Sequence, residues 1–132
     1  MKVLVVEDDF ISRKLLTTLL GHYGECDIAV DGLEAVEAFK SAIADDRPYD
    51  LICMDIMMPN LDGQEALKQI RAYEKEKGQD AASEVKVIMT TALDDPKNVM
   101  ESLYKGGAVA YIVKPIDKKK LIDEVRKIGL LE

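Results

Sequence analysis

The chain is poor in cysteine and histidine. It has two cysteines, Cys26 and Cys53. They stand far apart among apolar neighbours, with neither a metal-ligand spacing nor a disulfide framework, and read as buried free thiols. The one histidine, His22, falls at the end of the first predicted helix and reads as a surface residue. Cationic residues are outnumbered by acids. Lys and Arg number 18 against 25 Asp and Glu, so the net charge is −7 and the pI about 4.8. Repulsion from phosphate backbones opposes casual nucleic-acid binding, and no direct nucleic-acid binding is expected. The same repulsion opposes small phosphate compounds unless a cation intervenes. No apolar run approaches the roughly 18 residues of a membrane span. The amino-terminal segment is too short, and too soon charged, to read as a signal peptide, so the expected location is cytoplasmic.

What is present fits one α/β domain over residues 1–132, without linker or internal repeat. KVLVV at 2–6 reads as a strand covered on both faces, being short, continuous and β-branched. Over 10–21 Ile11, Leu15 and Leu19 recur every four residues beside Leu16 and Leu20, which predicts a helix capped by Asp9. CDIAV at 26–30 is a weaker strand. A helix then carries Leu33, Val36, Phe39 and Ile43, with Asp31 as its cap. DLICMD at 50–55 is the third strand, and PNLDG a turn in which Asp62 caps a helix over about 63–76. Ala66, Leu67, Ile70 and Tyr73 mark the inner side of that helix, and a polar connection follows it. VKVIMT at 85–90 is the fourth strand. A short helix opens at Pro96 and ends near Gly106–Gly107. VAYIV at 109–113 and a last helix over about 117–129, facing in through Leu121, Val125 and Ile128, complete the chain. Five strands alternating with five helices predict a doubly wound parallel sheet with right-handed crossovers.

Ligands of such sheets gather at the carboxyl ends of the strands. Strand one ends in Glu7, Asp8 and Asp9, strand three in Asp55, strand four in Thr90 and Thr91, and strand five in Lys114. If strands one and three are neighbours, the carboxylates converge, and such crowding calls for a cation or protons. Oxygen donors without His or Cys nearby point to Mg²⁺ rather than zinc. With the Lys114 ammonium and the Thr91 hydroxyl, they describe a site for phosphate oxygens in which Asp55 is a nucleophile toward phosphorus. Taken singly, each residue has a plainer reading. Strand-end acids are common helix caps, a strand-end lysine commonly faces solvent, and Tyr111 on an edge strand is commonly packing.

In this order and spacing VLVVEDD, VDGLEAVEAF, YDLICMDIMMPNLDG, VIMTTA and GGAVAYIVKPI resemble the receiver domains of two-component response regulators across essentially the whole chain. The resemblance implies the flavodoxin-like, CheY-like (βα)5 fold with strand order 2-1-3-4-5. It implies Asp55 as phosphoacceptor. Asp8 is implied as a direct Mg²⁺ ligand, Glu7 as a ligand acting through water, and Met57 as the residue whose backbone carbonyl binds the metal. Mn²⁺ is an admissible substitute. Asp9 is then an extra acid; a register one residue later makes it a ligand, but the interval to Gly24 favours the first register. Thr91 matches the hydroxyl that turns toward the phosphoryl group, with Thr90 a strand residue. Lys114 matches the phosphate-contacting lysine, the Lys114–Pro115 bond is expected cis, and Tyr111 matches an aromatic that moves between outward and inward positions.

The implied function is a signalling switch. The phosphoryl donor is a histidine kinase or histidine phosphotransfer protein. The face formed by the fourth helix, fifth strand and last helix acts on an unnamed downstream protein. Such a domain assists its own phosphorylation and dephosphorylation rather than working as a conventional enzyme. Mg²⁺-dependent phosphatases of similar chemistry usually need an acid two residues beyond the nucleophile, where this chain has Met57. Two departures stand out: the Thr91–Lys114 span is about one residue longer than in the chemotaxis members, and the polar connection after the third helix is stretched.

Overall fold

The computed structural model describes residues 1–80, 82–92, 97 and 107–131. The chain alternates β1 (Lys2–Val6), α1 (Phe10–Gly21), β2 (Glu25–Ala29), α2 (Gly32–Ala44), β3 (Leu51–Asp55), α3 (Gly63–Glu76), β4 (Lys86–Thr91), β5 (Ala110–Val113) and α4 (Lys118–Lys127). The helix expected from Pro96 to Gly106, and the acidic loop before it, lie outside the described residues, save for Lys97, which is helical. The strands are all parallel and lie in the order β2-β1-β3-β4-β5, as the resemblance implied.

The apolar runs that predicted buried strands are buried. β3 is covered along its whole length, and β1 from Val3 onward. Side chains of a strand alternate between faces, and the core divides accordingly. Leu4, Val6, Ile52, Met54, Val87 and Met89 face one cluster with α2 and α3 residues. Val3, Val5, Leu51, Cys53, Ile88 and Ile112 face the other, with Leu16, Leu20, Leu121 and Val125.

Among the described residues four aspartates end strand-to-helix loops as caps. Asp9, Asp31, Asp62 and Asp117 each accept a hydrogen bond from the backbone N–H three residues on, at Ser12, Glu34, Glu65 and Lys120. The three expected at Asp9, Asp31 and Asp62 are therefore found.

Three expected core residues are not core. Ile11 is 76% exposed, Leu33 52% and Leu15 38%. Ile11 and Leu33 belong to first helical turns, at the edge where the strands end, so those turns have little sheet beneath them. α1 seats itself through Leu16 and Leu20 instead. Cys53 is buried as expected, while Cys26, on edge strand β2, is only half-buried.

Candidate functional site

The convergence expected from the strand ends is realised. Glu7 follows β1, Asp55 ends β3 and Lys114 follows β5, with β1 and β3 hydrogen-bonded neighbours. The Lys114 ammonium nitrogen lies 2.9 Å from Glu7 Oε2 and 3.2 Å from Asp55 Oδ2. Glu7, Asp8 and Asp55 each offer a carboxylate oxygen, all within 4.8 Å of one another. Glu7 and Asp55 are buried, Asp8 exposed. Asp9 is separated from this group by its task, since its carboxylate caps α1. The Ser12 backbone and side chain hold that carboxyl below its usual range.

Burial governs the charges. It pushes the Glu7 carboxyl from its ordinary 4.5 up to about 7; the Lys114 hydrogen bond works against this, and the Asp55 charge adds to it. For Lys114 burial works downward. The Glu7 hydrogen bond and the Asp55 and Glu7 charges outweigh it and raise the ammonium above its usual value.

Glu7 Oε2 is buried and has the Lys114 ammonium at 2.9 Å as its partner. One ammonium between two buried carboxylates, with Asp8 beside them, leaves negative charge in surplus and acceptor positions open. An all-oxygen donor set of this charge fits a hard divalent cation. Glu7, Asp8 and Asp55 are the carboxylates that would hold one.

Local backbone fixes the Asp55 carboxylate. The Met57 N–H donates to Asp55 Oδ1 at 3.3 Å, while the Met57 side chain is 65% exposed, so its chemistry at the site is that of its backbone. Gly63 N–H donates to Ile56 O at 2.8 Å. A Cβ on Gly63 would sit 2.2 Å from the Asp55 carbonyl oxygen, so only glycine lets α3 start this close to the end of β3.

The remaining expected residues surround this group. Thr91 ends β4, is 2% exposed, and its hydroxyl donates to Ala92 O at 3.3 Å. The Lys114 N–H donates to Thr91 O at 2.7 Å, joining the two strand ends. The Lys114–Pro115 bond is cis. Tyr111 is outward, 44% exposed on edge strand β5, against a groove of about 580 Å³ also lined by Lys120, Asp123 and Lys127. His22 is exposed.

Sequence reasoning missed Arg13. Its guanidinium donates to Glu7 O at 3.0 Å and, more weakly, to Asp8 O at 3.4 Å, bracing the acidic turn from α1. The signal was its place one turn after the Asp9 cap. It also passed over the hydroxyl of Thr90, which is fully buried and in register with Asp55.

Comparison with known proteins agrees with this geometry. The model of the response regulator receiver domain matches residues 3–126. The chemotaxis protein CheY of Treponema pallidum is 36% identical over 129 residues, covering 96% of this chain and 81% of its own. The peroxide stress-activated histidine kinase mak2 of Schizosaccharomyces pombe is 38% identical over 130 residues, 98% of this chain but only 5% of the kinase. Among solved structures, a chain of the CheX–CheY–BeF3–Mg²⁺ complex from Borrelia burgdorferi superposes with a TM-score of 0.81 at 32% identity, over 97% of this chain and 88% of that one. A chain of the Saccharomyces cerevisiae co-crystal of the histidine phosphotransfer protein Ypd1 with the receiver domain of Ssk1 gives 0.82 at 30%, over 98% and 88%.

Proposed function

The chain belongs to the response regulator receiver domain family, and from that premise we propose that it is a phosphorylation switch whose acceptor is Asp55. The observation that carries this reading is the grouping of Asp55 with Glu7 and Asp8 under the Lys114 ammonium.

An Asp55 carboxylate oxygen attacks phosphorus in a phosphohistidine of a histidine kinase or histidine phosphotransfer protein. A P–O bond forms as the P–N bond breaks; the imidazole nitrogen keeps the electron pair and takes a proton. Met57 N–H and Lys114 hold the two Asp55 oxygens from different directions, which fixes the carboxylate plane for in-line attack. Lys114 balances charge on the phosphoryl oxygens. A divalent cation, Mg²⁺ or Mn²⁺, held by Glu7, Asp8, Asp55 and the Met57 carbonyl would neutralise the acids and screen the incoming phosphoryl charge. The product carries roughly −1.5 to −2 charges. Thr91 donates a hydrogen bond to it, Tyr111 moves inward behind Thr91, and the face around β5 and α4 shifts between two states. A downstream protein reads that face.

The relatives show how varied the surroundings of such a domain are: one spans little more than this chain, another is a large kinase. The net charge of −7 supports a domain that does not itself bind nucleic acid, and a cytoplasmic place suits its donors. Among the described residues no helix is long and apolar enough to cross a membrane.

The test is incubation with acetyl phosphate, with Mg²⁺ and with chelator, followed by intact mass. One added phosphoryl group that needs the metal, and disappears in Asp55→Asn, supports the reading. Equal phosphorylation of Asp55→Asn refutes it.

A further inference from the structure

Thr90 is fully buried, and its hydroxyl makes no hydrogen bond among the described residues. A buried, unserved hydroxyl costs about 1–3 kcal/mol, so a valine of the same shape would be the cheaper residue for packing alone. Its position gives the hydroxyl a different meaning. Val5, Cys53, Ile88 and Ile112 all face the same core cluster. Two residues further along the chain from each, at or just past the strand ends, stand Glu7, Asp55, Thr90 and Lys114. Alternation puts these four on one side of the sheet. Within that row Thr90 is the direct cross-strand partner of Asp55 and of Ile112, so it stands between Asp55 and the strand that delivers Lys114. Thr91, one residue on, alternates to the other side. The Asp55 carboxylate has capacity to spare. It accepts from the Met57 N–H and from Lys114, and a carboxylate has about four acceptor positions.

We propose that Thr90 is a positioning residue for the acceptor: its hydroxyl donates to the Asp55 carboxylate during phosphoryl transfer and holds the attacking oxygen in line. A turn about its χ1 redirects the hydroxyl without moving the strand. The inference rests on Asp55 being the acceptor. It adds a hydroxyl on the opposite side of β4 from Thr91, and so a second point at which this strand acts on the chemistry.

The test compares Thr90→Val, which keeps the shape and deletes the hydroxyl, with Thr90→Ser, which keeps the hydroxyl. Rates of phosphorylation by acetyl phosphate with Mg²⁺ are read beside urea midpoints and the ¹³Cγ signal of Asp55 at neutral pH. Thr90→Val is expected to be at least as stable as the parent, yet roughly tenfold slower, the worth of one hydrogen bond to a charged group. Its Asp55 signal is expected to shift, while Thr90→Ser keeps the parental signal and most of the rate. If Thr90→Val reacts at the parental rate, or if both variants slow equally, the hydroxyl has no such role. A parent chain that takes up no phosphoryl group would refute the acceptor assignment itself, a different result from a parent that reacts and a Thr90→Val that matches it.

Discussion

Lys114 Nζ and Asp55 Oδ2 lie 3.2 Å apart, although 59 residues of chain separate them. The sheet order brings this about, because β3 and β5 flank β4 and all run the same way. The ammonium also reaches Glu7, 107 residues away, so one cation ties the first, third and fifth strands at their carboxyl ends.

Replacing that cation exposes what it compensates. Lys114→Met leaves Glu7 and Asp55 without their shared partner in a site of low exposure. Metal-free stability at neutral pH is expected to fall by about 1–2 kcal/mol, below the loss for a fully buried pair because the lysine is partly solvated. Urea denaturation at neutral and at acid pH checks this, and the loss should shrink at acid pH as Glu7 protonates.

Glu7 makes the metal-free fold sensitive to pH. Its folded pKa is about 7 against an ordinary 4.5, raised chiefly by burial. The fold therefore favours the protonated form. The stability Glu7 contributes is complete below its ordinary pKa and is lost as pH rises through about 7. Glu7→Gln is expected to flatten this decline and to be more stable than the parent above neutrality, at the cost of divalent-ion affinity. Thermal melts with chelator across that pH range, followed by Mg²⁺ titration, measure both effects. A saturating divalent ion is expected to oppose the decline in the parent.

Gly63→Ala tests how the acceptor strand is seated. The new methyl would meet the Asp55 carbonyl at 2.2 Å, and backbone cannot swing aside as a long side chain does. A loss of about 1–3 kcal/mol is expected, together with slower phosphorylation as Asp55 is displaced. Gly21→Ala, with open space around it, is the control and is expected to leave the phosphorylation rate unchanged.

Much of this was legible in the sequence because strand ends are marked by chemistry as well as by periodicity. An apolar run that stops at an acid or a lysine names both the strand and its edge, as at Val6–Glu7, Met54–Asp55 and Val113–Lys114. The aspartate caps announced helix starts for the same reason. Burial of individual side chains was less legible, since four-residue spacing says which residues share a stripe and not how far the sheet extends beneath it. Ile11 and Leu33 show this. The end of α3 misled in the other direction. The apolar stripe of Ala66, Leu67, Ile70 and Tyr73 gives no hint of Glu74, which is 1% exposed. Its carboxylate takes Arg71 Nη1 at 2.7 Å and the Val85 N–H at 2.7 Å. A buried charge served by residues on both sides of a turn leaves no periodic trace. Thr90 and Thr91 posed a related difficulty. A pair of identical residues at a strand end does not reveal which one faces the acids, whereas the register with Asp55 does.

The most direct measurement of the central claim is the identity of the residue that carries the phosphoryl group. The protein is incubated with acetyl phosphate and Mg²⁺, reduced with borohydride, which converts an aspartyl phosphate to homoserine, and mapped by peptide mass. Homoserine at position 55, absent when Mg²⁺ is chelated, is the predicted result; modification at another carboxylate with Asp55 untouched would contradict it.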